Sequence, residues 1–144
     1  MHNYILFIGL MSAFLFFLID KNLLPGTLIA KRQMLERFER NKRKDIELRR
    51  DFESLVSRYN AWLLLAFPDS DVTYAEYIDL LNEKSGMEYA DAEFQNLKVR
   101  RLNRRETADY HEKLNSQEDA LEALQADLKF QKKNFKMIGL LSAS

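Results

Sequence analysis

The feature that most constrains this chain is its opening run, Tyr4 to Ile19 (YILFIGLMSAFLFFLI), sixteen residues without a charge. A helix of that length, rising about 1.5 Å per residue, falls a little short of a hydrocarbon core about 30 Å thick. Continuing it to Leu24 supplies the difference, because Lys21 can carry its ammonium to the interface while Leu23 and Leu24 stay at the boundary. Pro25 and Gly26 then break it. A cleaved signal peptide would need a basic start and a small-residue cleavage site, but MHNY has neither Lys nor Arg and the bulky, charged DKNLL follows the run. The sequence therefore predicts an uncleaved membrane anchor over residues 1–26. A buried core helix is the competing use of the same residues.

Cationic residues flanking a span stay on the cytoplasmic side. None precedes the run, whereas eight Lys and Arg lie between Lys21 and Lys44. The expectation is a single-pass protein of the inner (plasma) membrane, N-terminus outside, with residues 27–144 forming a cytoplasmic domain. Anionic leaflet lipids would attract the basic residues nearest the span.

The 144-residue chain leaves room for one domain besides an anchor, and its four Gly and two Pro are too few for a turn-rich β fold. With Leu, Glu, Lys, Arg, Ala and Gln abundant, the expected fold class is all-α. From Thr27 to Ala66 there is neither Gly nor Pro, and Phe52, Leu55, Val56, Tyr59, Trp62, Leu63 and Ala66 recur at helical spacing, which predicts a long helix over 27–66. Its middle, Glu39 to Asp51, is almost entirely charged apart from Ile46 and Leu48 and reads as a solvated spacer or partner surface. FPDSDV should turn the chain, and Trp62, Tyr59 and Phe67 there should pack on Tyr74 and Tyr77. Thr73 and Glu76 match a capping box opening a short helix over 73–84, which Gly86 would cap.

A second long helix is expected over 90–138. Within it Tyr110, Leu114, Gln117, Leu121, Leu124, Leu128, Gln131, Phe135 and Ile138 follow alternating steps of four and three, the seam of a left-handed coiled coil. That seam could join copies of the chain or pack on the first helix, and Gln117 and Gln131 could fix its register. Two long helices joined by a compact segment suggest an antiparallel hairpin, returning Lys132, Lys133 and Lys136 to the bilayer. The same hairpin would bring Arg49, Arg50 and Arg58 beside Arg100, Arg101, Arg104 and Arg105. Guanidinium groups recognise phosphate and carboxylate bidentately, so this belt is a candidate site for an anionic ligand or partner. A solvated face neutralised by Glu47, Asp51, Glu53 and Glu106 is the plainer alternative.

No phosphate-binding glycine loop, metal-ligand spacing or activated nucleophile is present, and there is no Cys. His2 and His111 are too far apart to share a metal, and Asp69 and Asp71 lack the Gly and terminal Glu of a calcium loop. The chain is thus expected to be no enzyme and to need no cofactor. The order of short outer N-terminus, span, Pro-containing break and charged helix resembles in outline the membrane-anchored peripheral-stalk subunits of rotary ATPases. It diverges at FPDSDVTYAEY, which has no place in a continuous stalk.

The reading that asks least is a non-enzymatic scaffold or adaptor that touches membrane lipid and either oligomerises or recruits a protein partner. An alternative is a small host-defence or phage-related membrane effector sensing a nucleotide-type anion through the arginine belt, with nucleic acid or nucleotide the less favoured partner. A second alternative is a phage lysis-type protein, which the charge asymmetry opposes.

Overall fold

The computed structural model describes residues 25–142, so the expected anchor falls almost wholly outside the described residues. Four helices follow: α1 (Pro25–Arg58), α2 (Tyr74–Glu88), α3 (Asp91–Val99) and α4 (Arg104–Ser142). Among the described residues none of them is long and apolar enough to cross a membrane.

Pro25 stands at the start of α1, where its missing N–H and fixed φ cost nothing. The helix ends at Arg58, eight residues before the expected Ala66. Asn60 adopts a left-handed φ of 49°, and Ala61 N–H donates to the Val56 carbonyl at 3.0 Å while Asn60 N–H donates to that of Ser57 at 3.1 Å. This is a Schellman termination with Asn in the position usually held by Gly, sealed by the apolar contact of fully buried Ala61 and Val56. The Thr73 and Glu76 capping box forms as the sequence implies. Gly86, however, does not cap α2. The helix runs past it to Glu88, and the buried Tyr89 closes the end by donating its N–H to the Ser85 carbonyl.

The expected helix over 90–138 is two helices. Arg100 is extended, and Asn103 opens α4 through a second capping box: its Oδ1 accepts from Glu106 N–H at 2.9 Å and its own N–H donates to Glu106 Oε2 at 2.9 Å. Leu97 and Leu102, on either side of the break, are both buried in one cluster with Met34, Phe38, Tyr89 and Leu114. Burying both requires the chain to change direction between them.

The consequence is a different architecture from a hairpin. Along α1, Phe52 meets Tyr77, Arg49 meets Asn82, Asp45 meets Ser85, Lys42 meets Asp91 and Lys31 meets Arg100. Partner numbers rise as α1 numbers fall, so α2 and α3 together run antiparallel to α1. Against α4 the order is opposite: Arg37 with Glu118, Asp51 with Lys132 and Tyr59 with Phe135. α1 and α4 are therefore parallel, and the bundle goes up, down and up. The segment read as a compact cap is a full return pass, because Tyr74 to Val99 at about 1.5 Å per residue spans nearly 40 Å.

The α4 seam faces inward onto α1 and the returning pass. Leu114, Gln117, Leu121, Leu128, Gln131 and Phe135 are buried, Tyr110 and Leu124 pack at the margins of the two core clusters, and the Ile138 side chain lies outside the described residues. Polar layers interrupt the core. Asn41 donates to Gln117 Oε1 at 3.4 Å. Asp45 accepts from Ser85 Oγ and from Arg49 Nε, the latter at 2.8 Å. Gln131 accepts from Tyr74 Oη at 2.6 Å and donates to the Ala66 carbonyl at 3.2 Å. The charged middle of α1 is thus less solvated than its composition suggests: Asp45, rather than Ile46, turns inward, since its partners compensate its desolvation.

Candidate functional site

The site-like surface with the clearest construction lies at the far end of the bundle, where α1 and α4 finish. After the Schellman turn the chain doubles back through residues 61–75. Ala66 N–H donates to the Val72 carbonyl at 2.8 Å, Tyr74 N–H to that of Leu64 at 2.9 Å and Ala75 N–H to that of Trp62 at 3.1 Å. A turn from Phe67 to Ser70 closes this small ladder, with Pro68 at the position its fixed φ suits. Ala61 and Ala66 point into the core and Trp62 packs against it. The three leucines between them are left outside, with 86% of Leu63, 51% of Leu64 and 54% of Leu65 exposed.

Phe130 of α4 is also 58% exposed and shares a groove with Leu64 and Leu65. Leu64, Leu65, Phe67, Pro68 and Phe130 rim a groove of about 330 Å³ floored by Tyr74, Gln131 and Phe135. The floor is fixed from below. Phe135 stacks on Tyr59 at 5.0 Å between ring centres and tilts against Tyr74 at 5.3 Å, while Phe67 meets Tyr77 edge-on at 5.0 Å. Burial pushes the Tyr74 phenol above its ordinary pKa, with the Asp127 charge adding to it, so the hydroxyl stays protonated and donates to Gln131 at neutral pH. A continuous apolar rim around an open groove is what soluble surfaces avoid unless something covers it.

A second groove, about 280 Å³, opens between α1 and α4 nearby and is lined by Asp51, Ser54, Arg58, Tyr59, Lys132 and Lys136. Lys132 pairs with Asp51 at 3.2 Å. Lys132, Lys133 and Lys136 thus sit beside the end of α1, away from Pro25, contrary to the expectation that they return to the bilayer.

The seven arginines singled out in the sequence are not one belt. Arg49 is held by Asp45 and Asn82 in the middle of the bundle, Arg50 is exposed nearby, and Arg58 is at the far end. Arg100, Arg101, Arg104 and Arg105 belong to the α3–α4 connection, which Lys31 fixes near the start of α1 through a 2.8 Å bond to the Arg100 carbonyl. Eighteen residues separate Lys31 from Arg49, about 27 Å along the helix. The parallel course of α4 is the reason: it carries the second group away from the first.

The best-coordinated guanidinium is one the sequence did not mark. Arg37 grips both oxygens of Glu118 at 3.1 and 2.8 Å, donates to Asn115 Oδ1 at 2.7 Å and approaches His111 Nδ1 at 3.4 Å. The Arg37 hydrogen bonds hold the Glu118 carboxyl below its usual pKa, with Arg40 assisting. These groups satisfy one another across α1 and α4 and hold the two helices in register. Among the described residues no group of three or more His, Cys, Asp or Glu is arranged to hold a metal ion. No protein-family model matches the chain, and neither a curated protein nor a solved structure matches it.

Proposed function

We propose that the chain is a membrane-anchored, non-enzymatic scaffold or adaptor of the inner membrane, whose helical bundle carries a protein-docking surface away from the bilayer. In this reading residues 1–26 anchor it, N-terminus outside, and the Lys and Arg that follow keep the bundle in the cytoplasm. The observation that carries the proposal is the exposed rim of Leu64, Leu65 and Phe130 around the apolar groove. That rim lies where α1 finishes, and the 34 residues of α1 extend about 50 Å. A rigid spacer ending in an apolar patch suits the recruitment of a second copy or another chain. The heptad seam is a poorer candidate, since Leu114, Gln117, Leu121, Leu128, Gln131 and Phe135 are already buried within the chain.

The test is site-specific photo-crosslinking of the full-length chain in native membranes. A photoreactive residue in place of Leu64 should give discrete adducts, at twice the chain mass for a second copy or at another fixed mass for a different partner. The same residue in place of Glu39, exposed on the shaft of α1, should give none. Uncrosslinked chain alone at Leu64 would refute the adaptor reading.

A further inference from the structure

The parallel course of α4 brings together, at the start of the bundle, cations that are distant in sequence. Arg100, Arg101, Arg104 and Arg105 are all exposed and are pinned to the level of Lys31 by its bond to the Arg100 carbonyl and by burial of Leu102 against the cluster of Met34 and Phe38. Lys98 stands one turn earlier and is also exposed. Within this connection the one carboxylate is Glu106, which pairs with Arg100 and is bound into the Asn103 cap. Arg101, Arg104 and Arg105 are left with their charge facing water.

Apolar residues are interleaved with these cations at the same end: Val99 is 80% exposed, Leu28 61% and Ile29 58%. Cations mixed with exposed apolar side chains are the composition of a surface that lies at a lipid interface, where the charges meet phosphate and the apolar groups enter the headgroup boundary. Position agrees with composition. Lys31 is six residues from Pro25, about 9 Å along α1, which is close to the Debye length of about 8 Å at physiological salt.

We propose that Lys31, Lys98, Arg100, Arg101, Arg104 and Arg105 form a collar that binds the phosphate headgroups of anionic lipids in the membrane from which α1 emerges. This rests on the anchor reading above and extends it. The anchor fixes one end of α1, while the collar fixes the orientation of the bundle on the bilayer. The far-end groove is thereby aimed away from the lipid. Five of the six cations lie about seventy residues beyond the anchor, so they take no part in any local juxtamembrane motif.

The test uses the full-length chain carrying Val99→Cys, the only thiol it would then have, labelled with a fluorophore and synthesised in the presence of vesicles. The vesicles are either phosphatidylcholine alone or phosphatidylcholine with phosphatidylglycerol, each doped with a headgroup quencher. The expected result is flotation with both vesicle types, with much stronger quenching on the anionic ones, and loss of the difference in about 1 M salt, where the Debye length is about 3 Å. Arg101→Glu with Arg104→Glu and Arg105→Glu should still float with an unchanged helical circular dichroism spectrum. Its ratio of docked to undocked bundle should fall by about a hundredfold, taking about fivefold per cation lost from an anionic surface.

Equal quenching on both lipids, with flotation intact, overturns the collar and leaves the anchor standing. Failure to float with either vesicle type overturns the anchor and the collar with it. Flotation with anionic vesicles alone, abolished by the triple variant, removes the anchor but upholds lipid binding by the arginines. If quenching is lipid-independent and the same arginines retain a single-stranded oligonucleotide, the surface serves nucleic acid and the proposal is wrong.

Discussion

Removing the Tyr74 hydroxyl isolates one polar layer of the bundle. Tyr74 is 5% exposed and Gln131 4%, and their 2.6 Å bond ties α2 to α4 while Gln131 also holds the Ala66 carbonyl of the far-end loop. Tyr74→Phe keeps the ring, so its contacts with Phe52 at 6.4 Å and Phe135 at 5.3 Å persist and the apolar packing changes little. What is lost is the donor to a buried amide oxygen, and an acceptor left unsatisfied in the core costs about 1–3 kcal/mol. For a domain of this size, at about 3–5 °C per kcal/mol, the melting temperature should drop by roughly 3–15 °C. The single tryptophan, Trp62, packs against the same cluster and reports the transition by fluorescence. Gln131→Leu should also destabilise, but adding it to Tyr74→Phe should cost less than the sum, because both changes break the same bond. An unaltered melting temperature for Tyr74→Phe, or strict additivity of the pair, would show that Gln131 finds its partners elsewhere and that the layer does not join these helices.

Three further outcomes follow from single residues. Gly86 lies inside α2 with a left-handed conformation ruled out and open space where a Cβ would stand; Gly86→Ala should therefore stabilise the fold by about 0.5–1 kcal/mol, read as a raised urea midpoint. Asn103→Ala removes the cap that separates α3 from α4 and should cost about 1 kcal/mol, with faster amide exchange confined to the start of α4. The Glu118 carboxyl, held below its ordinary pKa by Arg37, contributes stability that is complete above the unfolded value near 4.5 and is lost as pH falls through the depressed folded value. Glu118→Gln should flatten that part of the acid-unfolding curve below about pH 4.5 while leaving its upper part parallel to the wild type.

How far the sequence carries depends on which signals are local. The Thr73 and Glu76 capping box, the Pro68 turn and the α4 stripe are local patterns, and each stands where the residues imply. The early end of α1 was hidden because Asn60, rather than Gly, takes the left-handed position. With the helix expected to run on to Ala66, Leu63 falls on its apolar face and Leu64 and Leu65 merely lie within it, which conceals the exposed rim. The break at Arg100 had a visible signal, Asn103 followed three residues later by Glu106, but a run of helix formers on both sides overshadows it. Misreading that break as continuous helix removes one pass of the bundle, and with it reverses the direction of α4. The arginine belt failed for this reason alone: the residues are suited to anions, but their grouping depended on topology. Buried Asn41, Asp45 and Ser85 were unreadable from periodicity, since each enters the core only because a partner on another helix satisfies it.

Under the proposed anchoring, the parallel course of α1 and α4 decides which cations would lie near the membrane and which surface would lie far from it. Arg58 and Lys136 line one groove, so spin labels at Arg58→Cys and Lys136→Cys in the full-length protein, held in lipid nanodiscs, should give a pulsed-dipolar distance distribution centred well below the roughly 40 Å that about 27 helical residues span. An antiparallel hairpin would instead separate the two sites by more than about 40 Å on the same helical rise, and a distribution centred there would contradict the bundle and every assignment of near and far ends built on it.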